Sequence, residues 1–146
     1  MATRRESRMW ATQILYQLDF NPVEISEAFQ EFWKDKETDD RSKSFTESLV
    51  NGVRGNLDEI DRQLEGYAEN WTLKRMAGCD RNIMRICMYE MVYLDDVPPV
   101  VAINEAVDLA KDFGTDDSGR FVNGILDRAR KDLDRPARTV ESGEDA

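Results

Sequence analysis

Apolar residues recur at steps of three and four through most of the chain. The longest such run is Phe45, Leu49, Val53, Leu57, Ile60 and Leu64. A period near 3.6 places these side chains on one face of a helix, and no segment alternates apolar and polar residues for the five or six positions that a half-buried strand needs. The periodicity therefore predicts an all-α fold. Gly52 and Gly55 interrupt the longest run. Each weakens a helix interior by about 1 kcal/mol relative to alanine, which implies close packing or a bend there.

The remaining helices follow from periodicity and punctuation. Thr3 and Glu6 stand in capping-box register before a stripe of Trp10, Ala11, Ile14, Leu15 and Leu18, and Asn21-Pro22 closes that helix. A shorter helix turns Ile25, Phe29, Phe32 and Trp33 inward, and a turn-length piece "TLKRMAG" links the long periodic run to the next segment. That segment, "DRNIMRICMYEMVYL", is apolar nearly all round, so it should be the most buried helix, with Asp80 as its expected N-cap. Pro99 suits the first turn of the following helix and Gly114 its end. The last helix is expected from about Ser118 to Leu133, with Asp117 or Ser118 as its cap. At 146 residues the chain fits one domain, expected over residues 1–134, followed by an acidic tail, 135–146, expected to stay unstructured.

Composition narrows the chemistry. The chain has no histidine, which removes the commonest general base and the commonest transition-metal ligand. Cys79 and Cys87 lie eight positions apart on one predicted helix, a poor arrangement for a disulfide, and read as reduced core thiols. No apolar stretch approaches membrane-spanning length and no secretory leader is evident, so a cytoplasmic protein is expected. The net charge of −10 disfavours nonspecific coating of nucleic acid. The charge is nevertheless polarised: Arg4, Arg5 and Arg8 face only Glu6 near the start, and Arg120, Arg128, Arg130 and Lys131 face only Asp127 in the last helix.

Several groupings carry candidate function. Arg4, Arg5, Arg8, Thr12 and Tyr16 fall within about a third of a helix circumference. Basic groups leading to an aromatic suit single-stranded RNA, with phosphate contacts and base stacking; a merely solvated basic turn is the competing reading. Glu90 projects from the most apolar helix and must find a partner there. A structural acceptor that caps a neighbouring helix or pairs with an arginine is favoured over a general acid or base. Adjacent Asp116 and Asp117 lack the spaced oxygen donors of a calcium loop. Phe121 lies at the edge of the last helix's apolar arc, beside Arg128 and near Arg120. It can serve as a base platform at a helix N-terminus or as core packing.

The pattern "VAINEAV…AK.FG…S..FVNGIL", with "RRESRMWATQILYQLDF" at the start and "DRNIMRICMYEM" in the middle, resembles the NusB family of bacterial transcription antitermination factors from about residue 4 to 130. The resemblance implies a fold of about seven helices and binding without catalysis, with no cofactor and no metal. It implies that boxA-type RNA is bound together with ribosomal protein S10 (NusE) in an RNA polymerase complex supporting ribosomal RNA synthesis. The RNA contacts it implies are Arg4, Arg5, Arg8, Tyr16, Asp117, Ser118, Arg120 and Phe121, and Asp80 lies near the partner. Glu6 interrupts an arginine arm sparser than in some members, so the partner is expected to supply much of the affinity. Alternatives are a module like those preceding ribosomal RNA cytosine methyltransferases and a homodimer that masks the basic arm.

Overall fold

The computed structural model describes residues 2–69 and 72–133. Among them are seven α-helices, one short 3-10 turn and no strand. The helices are α1 (Arg4–Phe20), α2 (Ile25–Trp33), α3 (Asp40–Gly55), α4 (Leu57–Tyr67), α5 (Gly78–Tyr93), α6 (Pro99–Phe113) and α7 (Asp116–Lys131), with the 3-10 turn at Leu73–Arg75. The acidic tail at 135–146 lies outside the described residues. No described helix is long and apolar enough to cross a membrane.

Helix α5 organises the bundle. It contacts α1, α3, α4, α6 and α7, and ten of its residues are buried. On one side Ile86 joins Ala11, Ile14, Leu15 and Leu18 of α1 and Leu49, Val50 and Val53 of α3. On the other, Ile83, Met84, Cys87, Met88 and Met91 pack with α4, α6 and α7. A helix placed between two such groups must be apolar on nearly every side, which explains its composition. The half-buried side chains of α2 cover the first group: Trp33 meets Trp10 edge-on, with ring centroids 5.7 Å apart.

Local signals explain most boundaries and correct several expectations. Thr3 and Glu6 form the expected capping box, and Pro99 occupies the first turn of α6. The long periodic run is two helices, broken at Asn56, whose amide group donates back to the Gly52 carbonyl at 2.8 Å. Gly52 has a separate cause: a Cβ there would sit 2.0 Å from Cζ of Tyr89, so the glycine lets α3 lie against the Tyr89 ring. Asp80 is not an N-cap. Helix α5 starts at Gly78, with Ala77 in the cap position, and Asp80 lies inside its first turn. Likewise Thr115, not Asp117 or Ser118, caps α7, accepting from the Ser118 backbone N–H. Gly114 ends α6 with a φ of −136°, outside the left-handed region. What favours glycine is proximity, since a Cβ would lie 2.6 Å from Oγ of Ser118.

Candidate nucleic-acid interface

The three N-terminal arginines separate into different environments. Arg8 is buried: its Nε and Nη2 donate to the two carboxylate oxygens of Glu90 at 2.9 and 2.8 Å. Burial pushes the Arg8 pKa down, but the hydrogen bonds and charge of Glu90 outweigh it and raise the pKa overall. The expectation that Arg8 presents its charge to phosphates is therefore corrected. Helix α1 packs against α3 and α5, and Thr12, one turn after Arg8, is also fully buried. A helix wheel cannot register a neighbour on each flank.

Arg5 is exposed but engaged by α6. Its Nε and Nη2 donate to Glu105 at 3.1 and 3.3 Å, and Nη2 also donates to Asp108 at 2.7 Å. These contacts, Glu105 first, raise the Arg5 pKa above the ordinary arginine value. Arg4 is exposed with its guanidinium 3.8 Å from the centre of the Phe45 ring, and among the described residues no carboxylate pairs with it.

The first turn of α5 brings together residues from both ends of the chain. Tyr16, 37% exposed, lies against Gly78, where a Cβ would come within 2.4 Å of the ring. Two residues on, Asp80 is buried, with the Ser118 hydroxyl in the first turn of α7 close by. Burial pushes the Asp80 carboxyl pKa up, and the nearby Ser118 hydroxyl only partly opposes it. The first turn of α5 thus lies close to both Tyr16 and Ser118, although 102 positions separate those two in sequence.

At the start of α7, Asp117 and Arg120 are both exposed and paired with each other. Phe121 is half-buried and packs against the core shared by α4 to α7, so its ring has both a core-facing part and an accessible part. Arg128, two turns further on, donates to the Tyr67 carbonyl at 3.0 Å, tying α7 to the end of α4. Lys111 of α6 lies across Gly119, where a Cβ would approach its side chain within 2.9 Å. The resulting surface has aromatic rings, backbone N–H groups at two helix starts and exposed cations. It can stack bases and bind phosphates.

Sequence reasoning missed three participants. Gly78 seats Tyr16, Asp108 holds Arg5 together with Glu105, and Phe20 stands beside Tyr16. Phe20 alone left a signal, since it falls outside the apolar stripe of its helix. The other two depend on contacts between helices. The two cysteines are free: Cys87 is buried, which pushes its thiol pKa well up, and Cys79 is half-buried. Glu90 is the structural partner of an arginine, as favoured above. Among the described residues no group of three or more His, Cys, Asp or Glu could hold a metal ion.

Comparison with known proteins agrees with this architecture. The model of the NusB family matches residues 5–131. A Myxococcus xanthus protein, transcription antitermination protein NusB, is 41% identical over 140 residues, covering 93% of this chain and 100% of the relative. The solved structure of T. maritima NusB superposes with a TM-score of 0.82 at 35% identity, covering 93% of this chain and 94% of that one. A further structure, of antitermination factors NusB and NusE in complex with dsRNA, gives a TM-score of 0.81 at 26% identity and covers 89% of this chain and 97% of that one. With its seven helices matched in fold and nearly its whole described length matched in sequence, this chain belongs to the NusB family.

Proposed function

We propose that this chain is a cytoplasmic transcription antitermination factor that binds boxA-type single-stranded RNA jointly with ribosomal protein S10 (NusE), within an RNA polymerase complex that transcribes ribosomal RNA. It acts by binding, without catalysis. The observation that carries the reading is that Tyr16 lies on Gly78 at the first turn of α5, where Asp80 comes close to Ser118 of α7, which gathers an aromatic ring and two helix N-termini in one region. Phe121 and Arg120 extend this surface along α7, while Arg4 adds an exposed cation on α1.

The sparse arm and the net charge of −10 support a division of labour. Few phosphate contacts give a weak, shallow salt response in the isolated chain, and NusE supplies further positive surface. Asp80 is buried close to Ser118, so its nearness to the partner surface is indirect. A gel shift with boxA-like and scrambled RNA, each with and without NusE, tests the reading. Selective binding of boxA-like RNA, strengthened by NusE, is expected. Equal binding of both RNAs refutes the sequence-selective function, and equal affinity of chain and heterodimer refutes the division of labour.

A further inference from the structure

We propose that the RNA-contacting surface continues beyond Tyr16 onto Phe20, a second platform for an unpaired base, with Lys74 and Arg75 of the 3-10 turn meeting the phosphates beside it. This rests on the RNA-binding reading above and extends its site. Phe20 is 79% exposed, far more than any other large apolar side chain among the described residues, and it belongs to neither core group. Folding does not account for that placement, since an apolar ring gains free energy by leaving water.

The ring is nevertheless ordered by its neighbour. Tyr16 and Phe20 are one helical turn apart, with centroids 6.0 Å apart and planes within 15° of parallel. At that separation parallel rings are strongly offset, so each presents a face of its own to a base. Tyr16 is in turn seated on Gly78, so the pair is aligned from the start of α5 outward.

The charges around the pair favour a polyanion. Asp19, next to Phe20, would repel phosphate if left bare, but it accepts from Arg81 at 3.1 Å and from Asn82 and Arg85 at 3.0 Å. Arg81 also donates to the Leu73 carbonyl at 2.9 Å, fastening the 3-10 turn beside this network. Lys74 lines the same cleft as Asp19, Asp61, Glu65, Arg81 and Arg85, where Arg85 donates to Asp61 at 2.8 Å and Glu65 accepts from the Leu73 backbone N–H at 3.3 Å. Lys74 and Arg75 are exposed, and among the described residues no carboxylate pairs with either. Two stacked exposed aromatics, with only Val23 for a further exposed apolar neighbour along the chain, make a small, poor protein-docking patch. Continuous with Tyr16, and following Asp19, which shares a cleft with Lys74, Phe20 makes a good stacking site.

The test uses the heterodimer with NusE and a fluorescently labelled boxA-type RNA extended by a few uridines at either end. Phe20→Ala and Phe20→Leu should each weaken RNA binding by about fivefold or more, the lower end of what one stacked base contributes. Phe20→Tyr should restore the affinity, because it keeps the ring. Lys74→Gln with Arg75→Gln should make the salt dependence shallower. Affinity for NusE and the thermal midpoint should stay at their original values in every variant. If Tyr16→Ala weakens RNA binding and Phe20→Ala does not, the extension is wrong and the site at Tyr16 stands. If both are harmless in folded protein, the RNA site itself is misplaced. Loss of NusE affinity in Phe20→Ala would show that the ring docks protein, which also overturns the proposal.

Discussion

Removing the Glu90 carboxylate would leave the Arg8 cation in the interior without its partner. The Arg8 side chain is 7% exposed and that of Glu90 1%, and two hydrogen bonds of 2.9 and 2.8 Å join them. Glu105 approaches Arg8 only to 3.9 Å, so it can compensate little. Breaking a buried pair from one side typically costs about 3–5 kcal/mol, and Glu90→Ala should fall near the lower end, about 3 kcal/mol, because Glu105 still offsets part of the charge. That is a large share of the roughly 5–15 kcal/mol that stabilises a domain of this kind. Replacing both partners by apolar residues of similar volume, Arg8→Met with Glu90→Leu, should be close to neutral or stabilising, since it also removes the desolvation of both charges. Urea unfolding followed by circular dichroism gives the four corners of the cycle. A Glu90→Ala cost under about 1 kcal/mol, or a double variant as unstable as the single one, would refute the reasoning. The same double variant should keep its RNA affinity in the heterodimer, because Arg8 does not reach the surface; a tenfold loss in folded protein would return Arg8 to the RNA site.

Gly52→Ala should destabilise the fold by about 1–3 kcal/mol, because its Cβ would overlap the Tyr89 ring, which is itself stacked on Tyr93; an unchanged urea midpoint would show that the ring gives way. Asp80 has a raised carboxyl pKa, so its contribution to stability is fully present below the ordinary value of about 3.9 and is lost as pH rises through the folded value. Asp80→Asn, which removes the titrating group, should therefore gain stability over the native chain as pH rises through that window, and a constant difference across pH would contradict it. Glu105→Gln with Asp108→Asn should free Arg5 for phosphate and tighten RNA binding by about two- to fivefold, since an exposed pair is worth up to about 1 kcal/mol. Weaker binding would mean that the two carboxylates hold Arg5 in its productive position.

By itself the sequence determined the elements and much of their punctuation. The 3.6 period, the Thr3 and Glu6 box, Pro99 and the breaker at Asn21-Pro22 act within one or two helical turns, where the physics is local. The nearly uniform apolarity of α5 announced the central helix, and the absence of histidine narrowed the chemistry. Family membership was also legible, because the "VAINEAV" to "FVNGIL" pattern lies in one continuous stretch. Only the tertiary structure decided which polar groups face solvent. On the wheel Arg4, Arg5 and Arg8 are equivalent, yet one rests on Phe45, one is held by α6 and one is buried against Glu90. That division depends on which helix lies on each flank of α1, information carried by packing across 82 to 103 positions of chain. Gly78 beneath Tyr16 and Asp80 close to Ser118 are products of the same cause: neighbours at the crossing of three helices come together only once those helices have packed.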